Sequence, residues 1–236
     1  MPRFLLFICL SLYSLSTLAD LIDKGFTAEY ELSLMTVYIG TATRQLDAGD
    51  KQLTYRSVAR PDGLAKMFFS DIITETSHMD YRDGLITPRD YRYRQSGGDE
   101  ETDEQVNFRQ KDKIVALTRE NKTFPLEKNS YDVLSFQLAL MRELQQQHKH
   151  FVFHVADHRN LHTFHAKVVG EETLSTPAGD FKVVKVDARD PDSGKRFVFW
   201  CAEKLDYLPV RVEYTKKKDG DVSALVLKSI NIGEPL

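Results

Sequence analysis

The sequence predicts a mainly β protein: a strongly curved antiparallel sheet that forms an open or partial barrel, with one covering α-helix at about 131–147. Three observations carry this. Apolar residues alternate with polar ones over many short runs, as in strands with one buried and one wet face. Gly, Asp, Asn and Pro break those runs at hairpin intervals. One segment, Tyr131 to Gln147, departs from the pattern: it lacks Gly and Pro and is rich in Leu, Met, Gln and Glu, which favour helix.

Phe26, Ala28, Tyr30, Leu32 and Leu34 open the pattern with period two. Val37 to Leu46 continues it, with Gly40 inside the run, where a missing side chain suits a bulge or a close backbone contact. Ala48-Gly49-Asp50 turns the chain, and Leu53, Tyr55 and Ser57 resume. Tyr91 and Tyr93 alternate with Arg92 and Arg94, and Gly97 to Glu104 reads as a polar acidic loop. Val106 and Phe108, then Ile114 and Ala116 with their neighbours, read as two strands across a turn at 110–113. In the helical segment Val133, Leu134, Leu138, Met141 and Leu144 fall on one stripe. Asn129 or Ser130 is placed to cap its start. Strands return at 151–156, 161–169, 181–188, 196–202, 209–214 and 222–230. Lys218-Asp219-Gly220-Asp221 is the strongest hairpin signal, because Asp-Gly accepts the positive φ angles of a tight turn.

The first nineteen residues address the chain to the envelope. Arg3, a short apolar run from Phe4 to Leu15, and Thr17-Leu18-Ala19 before Asp20 are the parts of a cleavable secretory signal. The run is too short to span a bilayer, which takes about 20 residues. The expected organisation is therefore a signal peptide at 1–19 and a single β-rich domain at 20–236, periplasmic, with no transmembrane anchor after cleavage. Cys9 leaves with the signal and lacks the setting of a lipid-attachment cysteine. Cys201 remains, and one cysteine makes no internal disulfide. Basic and acidic side chains number 32 and 35. This balance speaks against a nucleic-acid partner, which calls for a basic domain.

Several landmarks then fall in order: Phe26-x-Ala28-x-Tyr30, Gly40, Gly84-Leu85-Ile86-Thr87-Pro88-Arg89-Asp90-Tyr91 and Tyr131-Asp132-Val133-Leu134-Ser135. Thr176-Pro177-Ala178-Gly179-Asp180-Phe181, Trp200 and Leu208-Pro209-Val210-Arg211 complete the set. Over residues 25–232 the chain resembles an exported family of Gram-negative bacteria catalogued only as a domain of unknown function. The resemblance implies a β-rich periplasmic protein and carries no site residues with it.

Six of the seven histidines lie between His148 and His165. A hairpin with a two-residue tip at His158-Arg159 sets His154 across from Thr163, with His165 one diagonal away and His150 on the same face. Three imidazoles can hold Zn²⁺ with an open fourth position, so His150, His154 and His165 are a candidate metal site; the plain alternative is a solvated face that includes Lys167. Cys201 lies in a bulky apolar strand, where burial makes a thiol inert. No nucleophile elbow, phosphate loop, dinucleotide fingerprint, HExxH or calcium loop is present, and no cofactor is expected. Leu64 to Phe69, followed by Ile72 and Ile73, is apolar without clean alternation. It reads first as core; outside a core, Met67, Phe68 and Phe69 are candidate ligand-binding residues at a pocket mouth or lipid contact. The expected function is a non-enzymatic binding, carrier or envelope-accessory protein for an apolar or amphipathic ligand such as a lipid, with an envelope protein as a further partner. The alternatives are a structural or protein-interaction module, or a metal-dependent hydrolase using the histidine face.

Overall fold

The computed structural model describes residues 20–98, 101–216 and 220–233. The signal segment lies outside the described residues, as do Lys218 and Asp219 of the expected hairpin tip. The first eight strands are β1 (Phe26–Leu34), β2 (Val37–Ala48), β3 (Gln52–Pro61), β4 (Ile72–Arg82), β5 (Leu85–Ser96), β6 (Thr102–Arg109), β7 (Ile114–Leu117) and β8 (Thr123–Pro125). After them come β9 (Ser130–Asp132), β10 (His150–Ala156), β11 (Leu161–Thr176), β12 (Gly179–Arg189), β13 (Arg196–Ala202), β14 (Leu208–Thr215) and β15 (Val222–Ile232).

All of them join one sheet in the order β8-β7-β6-β5-β4-β3-β2-β1-β15-β14-β13-β12-β11-β10-β9. Pairing is antiparallel throughout, except that β9 runs parallel to β10. The first and last strands are neighbours at the centre, and the two edges, β8 and β9, are consecutive in the chain. The sheet thus grows outward both ways and its edges return to one place. No ladder joins β8 to β9, so the curl stays open along a seam. Side chains bridge that seam. Ser77 Oγ on β4 donates to Asp132 Oδ2 on β9 at 2.7 Å, and the Tyr93 ring on β5 stacks on His158 at 3.9 Å between centres.

Alternation sets which residues face inward. Leu53, Tyr55 and Ser57 on β3, Ser77 and Met79 on β4, and Val106 and Phe108 on β6 are buried. Gly40 is held by both of the effects expected there. The β1–β2 register shifts beside it, and a Cβ at Gly40 would stand 2.1 Å from the Arg60 carbonyl oxygen. The predicted hairpin of β10 and β11 forms with His154 opposite Thr163.

The helix differs from its predicted bounds. It spans Ser135–Gln145 (α2), because Tyr131 and Asp132 instead pair with Val155 and Ala156 as β9. The side chain that caps it is neither Asn129 nor Ser130 but Asp132, whose Oδ1 accepts from the Leu134 and Ser135 N–H groups at 2.9 and 3.0 Å. Nor is α2 amphipathic in the expected way. Leu138 and Met141 join one apolar cluster with β1–β7, while Phe136, Ala139, Leu140 and Leu144 join a second with β10–β13. Buried on both sides, α2 stands between the two clusters and packs against β5, β10 and β14. A short helix, α1 (Leu21–Lys24), closes the lower end. Asp20 caps it and accepts from Arg142 Nη1 at 2.5 Å and Gln145 Nε2 at 2.7 Å, tying α1 to the end of α2.

Two further readings are corrected. The acidic loop ends sooner, since β6 begins at Thr102. Leu64 to Phe69 is not core: Gly63–Met67 is a 3₁₀ turn with no buried residue, and Ile72 opens β4.

Candidate functional site at the open end of the curl

The interior is not filled evenly. Along β3, β4 and β5 the inward residues Tyr55, Ser57, Ser77, Met79 and Tyr91 are buried, but the next inward residues toward the β3–β4 connection, Ala59, Ile73, Glu75 and Tyr93, are partly exposed. Register puts Ala59 beside Ile73 and Glu75 beside Tyr93. On the other wall, Phe197 and Tyr214 are likewise partly exposed, paired in register with ring centres 4.7 Å apart. The curl is therefore packed through its middle, and its inward residues become partly exposed toward this end. The β3–β4 connection sits at this rim and holds Leu64, Met67 and Phe68 at 81%, 77% and 80% exposure, with Phe69 at 41%. Its neighbour, the β1–β2 turn, adds exposed Met35, Val37 and Tyr38; the Tyr38 hydroxyl donates to Asp62 Oδ2 at 3.3 Å.

Polar groups lie below this mouth. Tyr91 OH donates to Glu75 Oε1 at 2.6 Å. Burial pushes the Glu75 carboxyl up, against the Tyr91 hydrogen bond and the nearby Arg44 charge. Burial likewise raises Asp132, although Ser77, Ser135 and two backbone N–H groups donate to it. Arg44 is buried, with Nη1 donating to Gln137 Oε1 on α2 at 2.7 Å and the guanidinium 5.1 Å over the Tyr30 ring.

A second group pins the rim, and the sequence reading missed it. His162 is buried on the inward side of β11. Its Nδ1 lies 2.8 Å from Asp190 Oδ2 and its Nε2 2.7 Å from Lys195 Nζ, which donates to Asp157 Oδ2 at 2.5 Å. Burial alone would raise Asp157; the His162 hydrogen bond and the Lys195 charge outweigh it and hold the carboxyl well below the usual range. The cluster joins the β10–β11 turn to the β12–β13 turn. Ser193 donates to Asp190 here, and Ser77 and Ser135 donate to Asp132, so none of these hydroxyls faces an imidazole.

The sequence-predicted residues are placed as follows. Met67, Phe68 and Phe69 come together at the rim. His150, His154 and His165 share the outer face of β10 and β11, but Lys167 stands opposite His150, and His165 lies between Val152 and Arg189. Among the described residues no group of three His, Cys, Asp or Glu side chains could hold a metal ion. Cys201 is buried among apolar side chains and burial pushes its thiol up.

A curled antiparallel sheet around an interior helix, left unclosed along a seam, defines a barrel-like class of β protein. The chain belongs to the family described as protein of unknown function (DUF3108), whose model matches residues 29–226. No curated protein matches it. Among solved structures it is similar to a β-barrel-like protein of domain of unknown function DUF1849 from Brucella abortus. That match has 12% identity and a TM-score of 0.58, and covers 89% of this chain and 98% of that one. At this identity the likeness concerns the fold. A candidate lipoprotein from Parabacteroides distasonis matches more loosely, at 11% identity and a TM-score of 0.37 over 88% of this chain and 95% of that one. Among the described residues no helix is long and apolar enough to cross a membrane.

Proposed function

We propose that the protein is a non-enzymatic carrier of the periplasm, exported by removal of residues 1–19, with residues 20–236 acting as one unit. It takes the tail of an apolar or amphipathic molecule through the open end of the curl. One observation carries this: the inward residues Ala59, Ile73, Glu75 and Tyr93 are partly exposed toward the end where Leu64, Met67 and Phe68 stand exposed. Exposed apolar side chains gathered at a rim mark a contact surface, and flexible Met beside flat aromatics suits ligands of varied shape. Each methylene taken from water contributes about 0.8 kcal/mol, so a modest tail binds without a charged anchor. The Glu75 carboxyl, whose pKa burial raises, sets a polar group for a ligand head at the same mouth.

The test is displacement of a fluorescent fatty acid. The wild-type protein is expected to bind the probe saturably at micromolar concentration, and the double variant Met67→Ser/Phe68→Ser to bind at least fivefold more weakly. Binding that is absent, or equal in the two proteins, removes this reading.

A further inference from the structure

The outer face of β10–β12 carries an open groove of about 550 Å³, lined by His150, Val152, His165, Lys167 and Arg189, with Asp187 and Pro191 at its side. It shares no residue with the mouth. In register, His150 faces Lys167, Lys167 faces Asp187 on β12, His165 faces Arg189, and Arg189 faces Arg196 on β13. The groove thus sets Lys167 and Arg189 on neighbouring strands, with two imidazoles beside them. Asp187 is the single carboxylate lining the groove, and it is already engaged. Arg189 Nη2 and Arg196 Nε donate to it at 2.7 and 2.8 Å. A divalent cation here would meet Lys167 and Arg189; an anion would be welcomed by them. The floor holds Val152, 41% exposed, so the groove offers apolar surface beside the charges.

We propose that this groove binds a phosphate ester. A tetrahedral phosphate has several acceptor oxygens and can accept from the Lys167 ammonium on one strand and from Arg189 Nη1 on the next, since Asp187 takes Arg189 Nε and Nη2. The phosphate belongs to a lipid headgroup or to a soluble ester; Val152 distinguishes the two, since only the former brings an apolar tail.

The experiment is an NMR titration of backbone amides with two probes: inorganic phosphate, and dihexanoyl phosphatidylglycerol below its micelle concentration. Both are expected to shift the amides of His165, Lys167 and Arg189 saturably. Lys167→Glu is expected to weaken binding at least fivefold, and Lys51→Ala, outside the groove, to leave it unchanged. Lipid binding tenfold tighter than phosphate, with Val152 shifting, supports a lipid headgroup; equal affinity supports a soluble ester. No shift in the groove with either probe, or undiminished binding by folded Lys167→Glu, overturns the proposal.

Discussion

Gly40 shows how far one residue type can be read. A glycine in an apolar run implied a bulge or a close approach, and the Arg60 carbonyl oxygen stands where its Cβ would be. Gly40→Ala is therefore expected to destabilise the protein by about 1–3 kcal/mol, as overpacked sites do, read as a lower urea midpoint at unchanged slope. Glu75 was not legible. It lies between Thr74 and Thr76, and a charged residue in a polar stretch reads as wet; alternation with the buried Ser77 and Met79 turns it inward. Its folded pKa is raised by burial. Between the unfolded and folded pKa values the native state holds the extra proton, so stability falls as pH rises through that window. Glu75→Gln, which keeps a partner for Tyr91, is expected to flatten this part of the stability–pH curve and to be neutral or stabilising at pH 7. A Gln variant less stable at pH 7 than at pH 4, relative to wild type, would contradict the assignment.

At the scale of elements, hairpins were the most legible. Phe151, Phe153 and Val155 against Phe164 and Ala166 fix the β10–β11 register, because a slip of one residue would turn every one of them to solvent. The start of α2 was not legible, since Tyr131 and Asp132 suit helix locally and become strand only by pairing with β10. The 3₁₀ turn was misread because a short apolar run looks the same whether it lines a core or rims a mouth. Leu138, fully buried between sheet and helix, is expected to cost about 2–5 kcal/mol when cut to Ala, measured by thermal or chemical unfolding. The seam carries a pH signature. Burial pushes the His158 imidazole, stacked on Tyr93, down to about 4. A histidine kept neutral in the folded state contributes stability that is complete above its unfolded value, near 6.5, and is lost as pH falls from there toward 4. The His158 ring proton is expected to titrate near 4 by NMR, and Tyr93→Ala to move it back toward 6.5.

For the whole molecule, alternation announced the strands but does not tell which strands are neighbours. β1 pairs with β15 across nearly the whole chain, and β8 and β9, adjacent in sequence, end at opposite edges of the sheet. Long-range pairing of this kind is decided by the packed interior. Here α2 takes up that interior. The fold class was therefore readable from residues, while the arrangement of the walls around α2 was not.

The measurement that bears most directly on this account uses a stearic acid spin-labelled near its tail, added to the protein with methyl-labelled Ala, Ile, Leu and Val. The paired residues Ala59 and Ile73, inside the mouth, are expected to broaden first and saturably, ahead of Leu46 at the packed base and Val169 on the outer surface. Broadening confined to outer valines, or spread evenly over all methyls, would mean that the opening takes no ligand.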